Sequence, residues 1–152
     1  MPMSRIEASV LVRRPLSEVF AFLASPGNHA AFVPGMLQFQ QTSPGAFGQV
    51  GARARGLRRV LGRRVGLPYE VIEFQPGASL ALEGSLGPLT FRDGYVLQTE
   101  GEATRVQFWL EPSLRGLMRL AQPFVTLIGR AHATETLANL KRSLEGAPRS
   151  AE

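Results

Sequence analysis

The chain has 152 residues, enough for one domain of ordinary size and too few for two independent cores. It contains no cysteine, which excludes a disulfide scaffold and thiolate chemistry such as a Cys-ligated zinc site. The formal charge of +5 is carried by arginine, with Lys141 the single lysine, and six of the arginines (53, 55, 58, 59, 63 and 64) crowd into a stretch that lacks any acidic residue from Val19 to Tyr69.

The opening residues, MPMSRIEASV, alternate polar and apolar where a secretory leader needs a continuous apolar core. No window approaches the roughly 20 apolar residues of a membrane span. The expected location is the cytoplasm. From Ser4 to Val12, residues Ile6, Ala8, Val10 and Val12 alternate with their neighbours at the period of a half-buried strand. Pro15 suits a first helical turn, and Val19, Phe20, Phe22 and Leu23 follow at helical spacing until Ser25-Pro26-Gly27 stops the run. A second short helix is expected over Asn28 to Phe32.

From Met36 to Glu111 the turn clusters Ser43-Pro44-Gly45, Leu61-Gly62, Pro76-Gly77, Leu86-Gly87-Pro88 and Glu100-Gly101-Glu102 divide the chain into six strand-like runs, an antiparallel meander. Thr104, Val106, Phe108 and Leu110 share one face of the last run, and a one-sided sheet needs a cover. The stretch from Arg115 to Leu144 supplies it as a long helix that Pro123 should kink or restart. On a helical projection Leu117, Leu120, Phe124, Ile128, Ala131 and Ala138 fall on one side. Thr126, Ala133, Leu137, Leu140 and Leu144 fall nearly opposite, so the first half is apolar around most of its circumference. The later half reads as the structural anchor and the earlier half as the place for a ligand or a partner.

This order resembles the START-like superfamily, which includes Bet v 1-type allergens, lipid-transfer START domains and bacterial polyketide cyclase/dehydrase-like proteins. The segments that carry the resemblance are VRRPLSEVFAFLASPGNHAAFVPG (12–35), GQVGARARG (48–56), VIEFQPGASLAL (71–82), GEATRVQF (101–108) and LANLKRSLE (137–145). It implies an α+β helix-grip fold over residues 1–146, with 147–152 a disordered tail. In that fold a curved antiparallel sheet of about seven strands wraps a long C-terminal helix, with two short helices after the first strand. It further implies a hydrophobic cavity between sheet and helix for a lipid, polyketide or aromatic metabolite. The cavity wall is expected from Phe32, Tyr69, Phe91, Tyr95, Phe108 and Phe124, with Leu127 and Ile128 from the helix. Tyr69 and Tyr95 would be its polar handles. Core packing is the plainer account of the same scattered aromatics.

Few groups carry chemistry. His29 and His132 stand far apart with no ligand spacing around them, so neither a metal nor another cofactor is expected. His132 with Glu135 one turn later could move a proton, or form a surface hydrogen bond. Asp93 shares strand parity with Phe91 and Tyr95 and could act as an acid or base of raised pKa, or turn to water at an irregular Arg92-Asp93-Gly94. Glycines 48, 51, 56 and 62 lack the strand-to-helix setting of a phosphate loop. The arginine cluster is expected on a solvated hairpin, where an anionic membrane surface or an acidic protein could meet it, and no motif accompanies it for specific nucleic-acid readout. The oligomeric state is open, a dimer included.

The missing catalytic set favours a noncatalytic binding or transport module. The alternatives are a polyketide cyclase-like enzyme using Asp93, Tyr95 and His132, and a docking module built on Leu117 to Ile128 with the arginine patch.

Overall fold

A computed structural model describes residues 5–146; the expected tail, 147–152, lies outside the described residues. Strand β1 (Ile6–Val12) is followed by helix α1 (Leu16–Leu23), a 3-10 turn (Pro26–Asn28) and the short helix α2 (His29–Phe32). The meander then runs through β2 (Met36–Gln41), β3 (Arg53–Val60), β4 (Arg63–Gln75), β5 (Ser79–Leu86), β6 (Leu89–Glu100) and β7 (Ala103–Leu114). A second 3-10 turn (Gly116–Ala121) leads into α3 (Gln122–Glu145). Each expected turn cluster separates two strands.

All seven strands form one antiparallel sheet in the order β1-β7-β6-β5-β4-β3-β2, so the first strand closes one edge by pairing with the last. This is the helix-grip arrangement. The twist of so many strands curls the sheet, and the helices occupy its concave side. Alternation decides what faces them: Thr104, Val106, Phe108 and Leu110 are all buried, while Trp109 points outward and is covered by the Arg5 guanidinium at 4.4 Å.

Pro123 begins α3 instead of kinking it, because at the first turn its missing N–H breaks no helical bond. The helix is then packed unequally along its length. Its buried residues are Gly129, Ala133, Thr136, Leu137, Leu140 and Leu144, and none precedes Gly129. At Gly129 a side chain would have its Cβ 2.6 Å from the Ile6 Cδ1 and 3.3 Å from a Leu110 methyl, so glycine lets the helix come this close to β1 and β7 without displacing those side chains.

Polar contacts hold the same C-terminal half. Lys141 donates to the Leu11 carbonyl at 2.6 Å and to Glu145 at 2.7 Å, Glu145 accepts the Arg13 N–H at 2.7 Å, and Asn139 donates to the Phe32 carbonyl at 3.2 Å. The residues from Gln122 to Ile128 have no comparable anchor among the described residues and lift away from the sheet.

The two halves should therefore differ sharply in truncation experiments. Leu140→Ala, at a fully buried position, is expected to cost about 2–5 kcal/mol of unfolding free energy in urea titrations. Leu127→Ala, at a residue 68% exposed, should stay within about 0.5 kcal/mol of the wild type.

Candidate ligand-binding site

The space left under the raised start of α3 is a cleft of about 430 Å³, within the range of roughly 300–1,000 Å³ usual for small-molecule sites. Leu67, Leu86, Leu89, Phe91, Leu110 and Ile128 supply much of its apolar lining, and Arg58, Asp93 and His132 supply charge and polarity. The tip of the β3–β4 hairpin, Val60 and Leu61, and the start of α3 bound it on opposite sides. A narrow extension of about 10 Å³ continues past Arg58, Asp93 and His132 to Tyr69 and Tyr95, with room for about one water molecule.

The strand pattern places these polar groups. Along β3, Ala54 and Gly56 face inward, so Arg58, two residues on, does so as well. Its guanidinium donates to the Pro34 carbonyl at 3.0 Å and, over a long 3.5 Å, to the Tyr69 hydroxyl. The other patch arginines, 53, 55, 59, 63 and 64, are exposed. The patch is thus split: one arginine serves the interior, a distinction that six similar residues in a row conceal.

Asp93 sits in regular register between Leu82 on β5 and Leu110 on β7. There is no irregularity to turn its side chain out, so the carboxyl faces the cleft. It has no hydrogen bond or ion pair among the described residues, although Arg58 lies near enough to act on it electrostatically. Burial dominates and lifts its pKa to about 7, the Arg58 charge offsetting only part of the effect. Burial likewise raises the phenol pKa values of Tyr69 and, more strongly, Tyr95.

His132 also lines the cleft instead of meeting Glu135 at the surface, and burial, then the Arg58 charge, lowers its pKa to about 4. His29 is part of the core. Its Nε2–H donates to the Leu23 carbonyl at 2.8 Å, its ring stacks on Phe39 with centroids 4.8 Å apart, and burial lowers its pKa to about 4. Both histidines are therefore neutral at pH 7.

Tyr69 is held by what its neighbours lack. A Cβ on Gly56 would stand 2.6 Å from its ring and one on Gly84 2.9 Å, so the phenol lies across two glycines on the adjoining strands. Edge contacts with Phe39 and Phe91 complete its setting.

The eight residues expected at the cavity divide into three groups. Phe91 and Ile128 line the main cleft, and Tyr69 and Tyr95 its inner extension. Phe32 and Phe108 are core residues, both packed against Tyr95, at 6.1 and 5.0 Å between centroids. Phe124 and Leu127, 69% and 68% exposed, do not enter the cleft, because the raised start of α3 turns them outward. Arg58 is the main residue that sequence reasoning missed. The signal available was its parity with Ala54 and Gly56, small residues that open the inner face.

Residues 3–145 match the protein family described as polyketide cyclase / dehydrase and lipid transport. No curated protein matches the chain in sequence. Among solved structures, the chain is similar to the Zhui aromatase/cyclase from Streptomyces sp. R1128, with a TM-score of 0.79, 15% identity and 97% of each chain covered. It is also similar to a START superfamily protein from Mycobacterium smegmatis, with a TM-score of 0.79 and 10% identity over 93% of this chain and 97% of that one. A protein from Thermus thermophilus gives a TM-score of 0.77 and 16% identity over 94% of this chain and 98% of that one. At these identities the likeness is one of fold.

Asp93 should leave a mark on stability. Unfolded, it ionises near 3.8, whereas folded it holds its proton to about 7. Between these values the native state binds more protons, so this contribution to stability falls as pH rises. From pH 4.5 to 8 the wild type is expected to lose on the order of 2–4 kcal/mol relative to Asp93→Asn in urea unfolding; parallel pH profiles would count against a buried acid here.

Proposed function

Because the chain belongs to the polyketide cyclase / dehydrase and lipid transport family, we propose that its cleft binds a small, mostly apolar molecule bearing one or two oxygen functions, oxygens innermost. The observation that carries this reading is the pairing of an apolar cleft with polar groups left open at its inner end. The Asp93 carboxyl and the Tyr95 hydroxyl make no hydrogen bond among the described residues, yet both border the cavity. Among the described residues no fully buried side-chain polar atom lacks a partner, so these two groups open onto the cavity, and an apolar occupant that displaced water from them without replacing its hydrogen bonds would be penalised. A ligand carbonyl, phenol or carboxyl, or a bridging water, would satisfy them while its apolar body rests on Leu67, Leu86, Leu89 and Leu110. Arg58 would donate to a ligand oxygen, and protonated Asp93 could do the same. Affinity then comes from apolar area withdrawn from water, at about 25 cal/mol per Å², with the polar end setting orientation.

Native mass spectrometry after incubation with a panel of fatty acids, sterols and polyphenols tests this. One-to-one uptake of some members is expected. Arg58→Gln, by removing a charge-assisted hydrogen bond of about 1.5–3 kcal/mol, should weaken oxygen-bearing ligands roughly 10- to 150-fold and leave a pure hydrocarbon probe unaffected. Uptake of no panel member would sink the proposal.

Asp93 favours a second reading, cyclase-like catalysis. A carboxyl near half protonation at neutral pH can take a proton from the carbon between two ligand carbonyls and return it to the oxygen of the carbonyl attacked. Arg58 would stabilise the charge developing on that oxygen. The new carbon–carbon bond closes a ring, and loss of water can follow. A synthetic poly-β-carbonyl compound, followed by the absorbance of its aromatic product, should cyclise at least about 100-fold faster with the wild type than with Asp93→Asn. Equal rates would leave binding alone.

A further inference from the structure

We propose that the mouth of the cleft docks on an anionic lipid bilayer, with the β3–β4 tip and the start of α3 as its two contact points. Among the described residues, every large apolar side chain left exposed, except Val50, lies at Leu61 or between Leu117 and Ile128. Leu61 and Ile128 both line the cleft, so the tip and the helix flank one opening.

Leu61 is 99% exposed and adopts a φ of 51° in a two-residue hairpin turn, where Asn or Gly would be at ease. A leucine there carries backbone strain and gains no burial within the molecule. Leu120 and Phe124, 84% and 69% exposed, stand one turn apart at the entry to α3. Leu120, with Leu127 and Arg119, borders a shallow groove on the outside of the helix.

The surrounding charge selects the partner. No acidic residue occurs between Glu18 and Glu70, or between Glu111 and Glu135, and these two intervals contain the hairpin and the start of α3. Arg59, Arg63 and Arg64 flank the tip, and Arg115, Arg119 and Arg130 flank the helix; all six are exposed. Separate protruding apolar side chains amid arginines, with no acid among them, match the headgroup boundary of an anionic membrane: the apolar groups enter the acyl edge and the guanidiniums remain among phosphates. This assignment is independent of what the cleft binds.

The test is co-sedimentation of the full chain with vesicles of phosphatidylcholine, alone or mixed with phosphatidylglycerol, at low and high salt. Binding is expected to the mixed vesicles and to weaken with salt. Arg63→Gln with Arg64→Gln should reduce it about 25-fold, at about fivefold per arginine. Leu120→Gln with Phe124→Gln should reduce it at least about tenfold while leaving the thermal midpoint unchanged, both side chains being exposed. Absence of binding to mixed vesicles, or binding indifferent to the Leu120 and Phe124 replacements, would overturn the proposal. So would a dimer in sedimentation velocity that these two replacements disperse, since the surface would then belong to a second copy of the chain.

Discussion

The close contact of α3 with the β1–β7 edge at Gly129 sets the character of this molecule. A helix can approach a sheet this nearly only where its side chains are small, and Gly129 and Ala133 provide two such positions one turn apart. Beyond them Leu137, Leu140 and Leu144 fill the concave face, and Lys141, Asn139 and Glu145 tie the helix to β1 and α2. Before them no residue of the helix is buried. The helix behaves as a beam clamped at one end, and the free end spans the curl of the sheet without filling it. The cleft, its opening and the exposed apolar residues beside it all follow from that asymmetry.

The interior of the cleft is poor in stabilising contacts for its polar groups. Asp93 is held near neutrality by burial, Tyr95 has no hydrogen-bond partner among the described residues, and Arg58 is satisfied by a backbone carbonyl and a long contact to Tyr69. A core selected only for stability would hold leucines at such positions, since even partly withdrawing a carboxyl from water without a protein partner is unfavourable. Perturbed ionisable groups gathered in a concave site are a physical reason to look for ligand recognition or chemistry there. By contrast His29, equally perturbed, is stacked and hydrogen-bonded inside the core and borders only the narrow inner extension, not the main cleft.

The fold alone does not choose between carrying a molecule and transforming it, because both activities are grafted on scaffolds of this kind. What distinguishes them is local. A carrier needs the apolar wall and a few oriented donors, and the cleft has both. A catalyst also needs a group that can both release and accept a proton near neutral pH, and Asp93 is the residue whose environment meets that condition.

Much of the architecture was legible from residue order. Period-two alternation and five turn clusters placed the strands, Pro123 marked a kink or a restart within the Arg115–Leu144 stretch without saying which, and two apolar stripes on opposite sides announced that the halves of that stretch differ. The site was legible only in part. Phe91 and Tyr95 share a strand parity that could be read as inward, and Asp93 shares it too, although the Arg92-Asp93-Gly94 sequence also fitted an irregularity that would turn its carboxyl to water; Arg58 was hidden among neighbouring arginines, and Phe124 looked no different from Phe108. Sequence by itself determined the elements, their order and which face of each is apolar, because these depend on spacing along one chain. Tertiary structure alone decided which apolar residues meet the interior and which are left outside, because that depends on how near α3 can approach β1, a distance set at Gly129 by groups more than a hundred residues apart.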